Sequence, residues 1–159
     1  MVNKPKAIGT AGETGVVRFA REHGFGLADR LTMKGRDDEG DVALCPGVIV
    51  EVKAGAKAHK ASAEQVAEWL AETTIERQNS GADIGLLVVA KRGYAPSRAG
   101  HWRAFLPEAW RLFAPIGRTT ADGYLVARHV QRVLACPIEM SYADAILALR
   151  RAGWGDPLD

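Results

Sequence analysis

The chain has 159 residues, of which 47% are hydrophobic and 25% charged, and its net charge at pH 7 is +2. These values are ordinary for one globular domain with its own core, so we expect a single domain over residues 1–159. No apolar run approaches the ~20 residues of a membrane-spanning helix. No hydrophobic segment follows the first basic residues, which argues against a secretory signal. Cys45 and Cys136 lack metal-binding spacing, so we expect a reducing, cytoplasmic setting without membrane association.

The first element predicted along the chain is a helix. We expect residues 1–9 to form a loose basic arm. Thr10, with Glu13 three positions on, forms a capping box that predicts the start of the helix. Gly24 stands where a C′ glycine terminates a helix, and Phe25 is available for the apolar contact that accompanies such an end.

The next elements predicted are strands. We expect a short first strand within residues 27–33, and then a polar loop, residues 34–40, leads to a hairpin. Its arms are residues 41–45 and residues 48–53, and the second arm is rich in β-branched residues, as a central strand is.

The middle of the chain predicts a second helix and two further strands. Ser62 and Gln65 form a capping box that begins a helix ending near Asn79. Residues 84–90 are a nearly continuous apolar run, which is typical of a strand buried on both faces. Residues 101–106 predict another strand.

The C-terminal third is patterned less clearly, apart from a last helix that Ser141 begins and Gly153 ends. We expect residues 107–159 to pack on the rest as an extension. The whole order predicts an α/β or α+β fold, in which a mixed β-sheet is flanked by helices and the core has the order αβββαβ.

Two charged side chains project from the predicted central strand. Side chains alternate between the faces of a strand, so Glu51 and Lys53 share one face with Ile49. An acid and a lysine on a core strand are costly unless they are paired or hold a metal ion. This face therefore predicts a functional site.

A second carboxylate can reach the same place through the hairpin. A three-residue loop, residues 45–47, would pair Leu44 with Val48 and set Asp41 opposite Glu51. Opposed Cβ atoms lie about 5 Å apart, so both carboxylates could hold one hard cation. A two-residue Pro-Gly turn would place Asp41 on the other face. In a different register, one acid of residues 37–39 could replace Asp41.

Glu13 admits two interpretations. It is the partner of Thr10 in the predicted capping box, and it also borders the apolar stripe formed with Val16, Val17 and Ala20. A carboxylate on that border suits a site between helix and sheet.

The expected chemistry is metal-dependent hydrolysis. Asp41, Glu51 and the backbone carbonyl of Val52 would hold Mg²⁺, and Glu13 would act through a water or help to hold a second ion. Lys53 would orient the attacking water or stabilise charge on phosphorus. Basic residues around this site could neutralise phosphates, although a solvated mixed-charge surface explains them equally simply. They are Arg30, Lys34, Arg36, Lys57, His59, Lys60, Lys91 and Arg92.

The motifs GTAGETGVVRFAREHGF, GDV and GVIVEVK resemble the Holliday junction resolvases of the PD-(D/E)XK nuclease superfamily, which include archaeal, bacterial and phage proteins. The resemblance covers about residues 7–106 and aligns Glu13, Asp41, Glu51 and Lys53 with the active-site residues of that family. It implies a homodimer that binds a branched, four-way DNA junction and makes paired nicks in it. The reaction would use Mg²⁺ or Mn²⁺ and no organic cofactor. The expected location is the cytoplasm of a bacterial cell or a phage-infected host.

Gln65 is a further candidate catalytic residue, because Gln65 and Trp69 resemble a Gln-x-x-x-Tyr feature of exonuclease relatives. Its place in the capping box with Ser62 is the simpler explanation. Two other functions stay open. One is a less selective DNA endonuclease of repair or restriction type, and the other is a junction-binding module without catalysis.

Overall fold

A computed structural model describes residues 4–31, 39–109, 111–112 and 137–157. Within these ranges the chain has an α/β fold in which a six-stranded mixed sheet is flanked by helices, as predicted. The elements in chain order are α1 (Lys4–Glu22), β1 (Asp29–Arg30), β2 (Val42–Cys45), β3 (Val48–Lys53), α2 (Ala56–His59), α3 (Ala63–Ser80), β4 (Ile84–Val89), a 3₁₀ helix (Pro96–His101), β5 (Arg103–Leu106), β6 (Ile138–Ser141) and α4 (Tyr142–Arg151).

The strands lie in the sheet in the same order as in the chain. β3 and β4 are parallel and are connected through α2 and α3, whereas the other neighbours are antiparallel. Lys53, the last residue of β3, is in register with Val89, the last residue of β4. The segments that follow these two strands therefore leave the sheet at one edge.

Helices α1 and α3 cover opposite faces of the sheet. Gly85 is in register with Ile49, and a Cβ atom on Gly85 would lie 3.3 Å from the carbonyl oxygen of Thr73 in α3. On the other face, a Cβ atom on Gly12 of α1 would lie 2.8 Å from the Cβ atom of Ala54. Every residue of β4 is buried, which confirms that this strand is covered on both sides.

Helix α1 begins earlier than predicted. It starts at Lys4, so residues 4–9 are helical and not a loose arm. Thr10 lies inside the helix, where its carbonyl oxygen accepts a hydrogen bond from the hydroxyl of Thr14 at 2.8 Å, and the predicted N-cap is wrong. Pro5 is the overlooked signal, because proline suits the first turn of a helix, where backbone N–H groups have no intrahelical acceptor.

Other helix ends follow the predictions. Gly24 has a φ of 89°, and Phe25 behind it is fully buried. The hydroxyl of Ser62 accepts a hydrogen bond from the backbone N–H of Gln65 at 3.2 Å. The hydroxyl of Ser141 accepts one from Asp144 in the same way, and α4 follows.

The hairpin differs from its prediction at the turn. Cys45, not Leu44, pairs with Val48, so the turn contains only Pro46 and Gly47. Gly47 has a φ of 87°, which matches the third position of a type II turn with Pro46 at the second position. The predicted three-residue loop is therefore wrong.

A β-bulge supplies the odd residue instead. The register shifts around Leu44, so that Val42 pairs with Val50. Asp41 follows at the end of the pairing, where its backbone N–H donates to the carbonyl oxygen of Val50 at 3.0 Å. The bulge thus keeps Asp41 alongside Glu51 despite the shorter turn.

The C-terminal part of the described chain adds to the sheet and packs on α1. Strand β5 is shorter than predicted, because His101 belongs to the 3₁₀ helix, and β6 pairs with β5. The hydroxyl of Tyr142 donates to the carbonyl oxygen of Val16 at 3.2 Å. The carboxylate of Asp156 accepts from the backbone N–H of Gly26 at 2.9 Å. No helix in the described ranges is long and apolar enough to cross a membrane.

Two glycines of α1 provide a matched test of this packing. A Cβ atom on Gly15 would lie 2.4 Å from the backbone oxygen of Pro96, whereas one on Gly9 would meet only a side-chain oxygen of Glu13 at 3.8 Å. We expect Gly15→Ala to lower the free energy of unfolding by about 2 kcal/mol, because backbone cannot move aside easily. Gly9→Ala should raise it by about 0.5–1 kcal/mol. Urea denaturation measures both, and a Gly15→Ala protein as stable as the wild type would contradict the packing.

Candidate active site

Three side chains that the sequence singled out lie together at the end of β3. The carboxyl groups of Asp41 and Glu51 lie beside each other, close enough for the charge of Glu51 to raise the pKa of Asp41. A carboxylate oxygen of Asp41 also accepts from the backbone N–H of Val52 at 2.8 Å. The ammonium group of Lys53 lies 2.7 Å from a carboxylate oxygen of Glu51. These contacts form one continuous chain of polar groups.

The two carboxyl groups hold protons more tightly than exposed acids do. Burial, together with the charge of Glu51, raises the pKa of Asp41 to about 7, and the hydrogen bond from Val52 only partly offsets this. Burial also raises the pKa of Glu51 to about 7, although Lys53 beside it acts in the opposite direction. The side chain of Glu51 is only 8% exposed. Near neutral pH the pair therefore shares a proton that a cation could replace.

Lys53 stays protonated in this setting. Burial by itself lowers the pKa of Lys53, but hydrogen bonds and charges from Glu51 and Glu72 outweigh burial and raise it above the ordinary value. The second carboxylate, on α3, is 2.9 Å from the ammonium group. The ring of Trp69 lies 5.9 Å from the same nitrogen. Lys53 is thus a fixed positive charge beside the acid pair.

Glu13 approaches the pair from α1. Its charge contributes to the raised pKa of Asp41, and its side chain is only 17% exposed. It forms an ion pair with Arg30 of β1 at 2.6 Å. Because α1 begins at Lys4, Glu13 cannot be explained as a capping residue. The structure therefore leaves the alternative interpretation, a carboxylate between helix and sheet.

Sequence reasoning missed two acids of α3. Glu72 pairs with Lys53, and Glu76, which is 5% exposed, raises the pKa of Glu51 by its charge. Both lie at helical spacing from the buried Trp69, so they share the face of α3 that packs on the sheet. That spacing was visible in the sequence, but acids on a helix usually indicate a solvated face.

The donor atoms present suit a hard divalent cation. Val52 directs its backbone N–H toward Asp41. In a strand, the N–H and the carbonyl oxygen of one residue point to the same neighbour, so the carbonyl oxygen of Val52 also faces Asp41. Among the described residues, no group of three or more His, Cys, Asp and Glu side chains is arranged to hold a metal. The available ligands are the oxygens of Asp41, Glu51 and Val52, with Glu13 at a distance. Mg²⁺ retains several waters and needs only one or two carboxylates, so it fits such a set.

Gln65 lies apart from this cluster. Its side-chain amide donates to Glu68 on its own helix at 2.8 Å, and its backbone N–H donates to Ser62. Within the described part of the chain, neither group contacts the acid pair. The geometry therefore favours the capping interpretation of Gln65.

The predicted phosphate-binding residues mostly lie at the same edge of the sheet. One group follows β3 and the other follows β4, and the parallel pairing brings both to the edge where Lys53 ends its strand. Those exposed at this edge are Lys57, His59, Lys60, Lys91 and Arg92. Lys34 and Arg36 fall outside the described residues, as do Asp37 and Asp38, two of the acids considered in place of Asp41.

No protein-family model matches this chain, and neither a curated protein nor a solved structure matches it significantly. Its function is therefore inferred from the residues of the site. The structure brings Glu13, Asp41, Glu51 and Lys53 into one cluster, adds Glu72 and leaves Gln65 outside.

The shared proton predicts how stability depends on pH. Since the folded-state pKa of both acids lies above the ordinary unfolded value, their stabilising contribution is complete below about pH 4 and is lost as pH rises to about 7. In EDTA, the free energy of unfolding of Asp41→Asn relative to wild type should therefore increase by roughly 2 kcal/mol between pH 5 and pH 8.

Thermal denaturation at several pH values checks this expectation. Asp29→Asn is the control, because its carboxylate is 77% exposed in its pair with Arg21. A difference between Asp41→Asn and wild type that does not change with pH would contradict the shared proton.

Proposed function

We propose that this chain is a Mg²⁺-dependent endonuclease of the PD-(D/E)XK type that acts on branched DNA. The observation that carries the proposal is the contact between the carboxylates of Asp41 and Glu51, with Lys53 held against the second of them. Two acids that share a proton beside a lysine form a poor structural core and a good cation site.

The fold and the motifs support the same class of enzyme, a PD-(D/E)XK-type endonuclease. A helix that carries Glu13 precedes an antiparallel hairpin that carries Asp41, Glu51 and Lys53, and a long helix then leads to a parallel strand. The resemblance of the motifs to Holliday junction resolvases favours a four-way junction as the substrate. Paired nicks in such a junction need two active sites, so a homodimer is part of the proposal.

The residues of the chain have distinct roles in the proposed hydrolysis. Asp41, Glu51 and the Val52 carbonyl would hold the ion, and Glu13 would orient a water at its outer side. When bound, Mg²⁺ would polarise the phosphodiester and acidify the attacking water. Lys53 contributes a positive charge that stabilises the charge developing on the phosphate oxygens. No side chain needs to act as a nucleophile.

The basic edge of the sheet gives the substrate a place to lie. The cations that follow β3 and β4 are exposed on the same side as the end of Lys53's strand, so a phosphate backbone could run along both loops. Contacts of this kind fix the position of DNA without reading its sequence. Selectivity would therefore depend on the shape of the substrate.

Cleavage of labelled DNA tests the proposal. Wild-type protein is mixed with a four-way junction or a linear duplex of the same sequence, in Mg²⁺ or EDTA, and its mass is measured by sedimentation. Paired, metal-dependent nicks in the junction by a dimer would establish a resolvase. Equal cutting of both substrates would indicate a less selective endonuclease. Junction binding without any cutting in Mg²⁺ or Mn²⁺ would refute the enzymatic proposal.

Substitution of the proposed ligands should abolish activity without unfolding the protein. We expect Asp41→Asn and Lys53→Met each to lower the rate of cleavage roughly 100-fold or more, because each removes a charge that acts on the transition state. Asp29→Asn should leave the rate unchanged. Single-turnover rates measure the effect, with circular dichroism as the control for folding, and full activity of Lys53→Met would contradict its role.

Glu72 should act through Lys53. Its carboxylate lies 2.9 Å from the ammonium group but is 52% exposed, so its loss should disturb the position of Lys53 and not the fold. We expect Glu72→Gln to lower the maximal cleavage rate roughly tenfold while the Mg²⁺ concentration for half-maximal activity stays the same. Glu68→Gln, one turn earlier on α3, is the matched control. A shift in Mg²⁺ dependence would instead identify Glu72 as a metal ligand.

A further inference from the structure

An open groove lies at the sheet edge beyond Lys53. Its volume is about 500 Å³, and its walls come from α1 and from the segments that follow β3 and β4. The residues that determine its chemistry are Ile8, Ala54, His59, Tyr94, Ala95 and Trp102. The proposed function does not use it.

The interior of the groove is apolar and aromatic. Trp102 is 2% exposed, and its indole N–H donates to the carbonyl oxygen of Tyr94 at 2.9 Å, which holds the segment after β4 against the groove. Ile8, which α1 contributes to the groove, is 42% exposed although it is a large apolar side chain. The groove therefore has an apolar lining, in which Ile8 is the large apolar side chain exposed to solvent.

The rim of the groove is cationic. Around the ring of Tyr94, the ammonium nitrogen of Lys91 lies 5.5 Å from the centroid and the guanidinium carbon of Arg98 lies 4.8 Å away. The imidazole of His101 stacks on the same ring at 4.8 Å. His59 stands on the side formed by α2. An apolar interior inside a cationic rim complements a molecule that joins a flat apolar ring to an anion.

The groove adjoins the proposed cleavage site. Ala54 follows Lys53 directly, and the backbone N–H of Ala90 donates to the carbonyl oxygen of Lys53 at 2.8 Å. Alternation along the strand directs Ala54 to the opposite face from Lys53, so the groove lies around the edge of the sheet from the acid pair. A DNA strand that crosses this edge could contact both places.

We infer that the groove binds one unpaired nucleobase of a DNA strand, with the adjacent phosphates on Lys91, Arg98 and His59. This inference rests on the proposed function for the identity of the polymer. A base in duplex DNA is stacked and paired and cannot enter, whereas an unpaired base at a branch point or in a single strand can enter an apolar groove and pack on its side chains. The groove would therefore make the protein prefer DNA with unpaired nucleotides.

A binding experiment in EDTA separates this inference from catalysis. Fluorescence anisotropy compares a duplex that has a short unpaired thymidine segment with a fully paired duplex of the same length. We expect wild type to prefer the first substrate about tenfold, the order expected for one stacked base. Ala95→Trp, at an exposed wall position, should fill the groove and remove this preference while duplex affinity stays unchanged.

Two further variants test the same binding preference, one inside the groove and one as a control outside it. Tyr94→Leu should weaken the preference by removing the aromatic surface, and Ala67→Trp, at an exposed position of α3 outside the groove, should leave it intact. A preference that survives both Ala95→Trp and Tyr94→Leu would overturn the inference. Displacement by dAMP without any preference for unpaired nucleotides in DNA would also overturn it, because the groove would then be a site for free nucleotides.

The outcome is distinguishable from failure of the proposed function. If wild type does not cut DNA in Mg²⁺ but Ala95→Trp loses the preference in EDTA, the groove is assigned and the nuclease is refuted. If wild type cuts DNA and the groove variants bind like wild type, the nuclease stands and the groove assignment is refuted.

Discussion

The burial of the Asp41 and Glu51 carboxyl groups beside each other is the constraint on which the rest of the site depends. Two neighbouring buried carboxylates cannot both be ionised without a large cost in free energy, so a proton or a cation would stabilise the pair. The bulge at Leu44, the N–H group of Val52 and the end of β2 all serve to bring Asp41 to this place. A sequence selected for stability alone would place apolar residues there.

The charges around the pair do not remove this cost. Lys53 and Arg30 are the cations in contact with the cluster, and each is paired with an acid. Against them stand the carboxylates of Glu13, Asp41, Glu51, Glu72 and Glu76, which come from both helices and both arms of the hairpin. When all are ionised, these carboxylates outnumber the two cations named, so the described part of the site is rich in negative charge. An external cation would stabilise this arrangement, and that need is the physical basis of the metal-dependent function we propose.

The strongly patterned elements were predictable from the sequence, and the irregular ones were not. The buried run of β4 and the helix after Ser62 have local signals that tertiary packing does not override. The bulge at Leu44 was missed because two arrangements place Asp41 beside Glu51: a three-residue loop, and a two-residue turn followed by a bulge. Only the packing of the strands selects between them. Glu72 and Glu76 were missed because their meaning depends on which face of α3 meets β3, and that information is not local.

The parallel pairing of β3 with β4 explains why so much of the chemistry lies at one edge of the sheet. A hairpin between these strands would send the two following segments to opposite edges, whereas the crossover through α2 and α3 sends both to the same one. The acid pair and Lys53, the basic residues of both loops and the groove lined by Tyr94 and Trp102 are neighbours for this reason. A phosphate that approaches the acid pair therefore meets cations on both loops, and a base on the same strand meets an apolar surface around the edge. One connection in the topology thus gives the site its two kinds of surface, one suited to a charged backbone and the other to an exposed base.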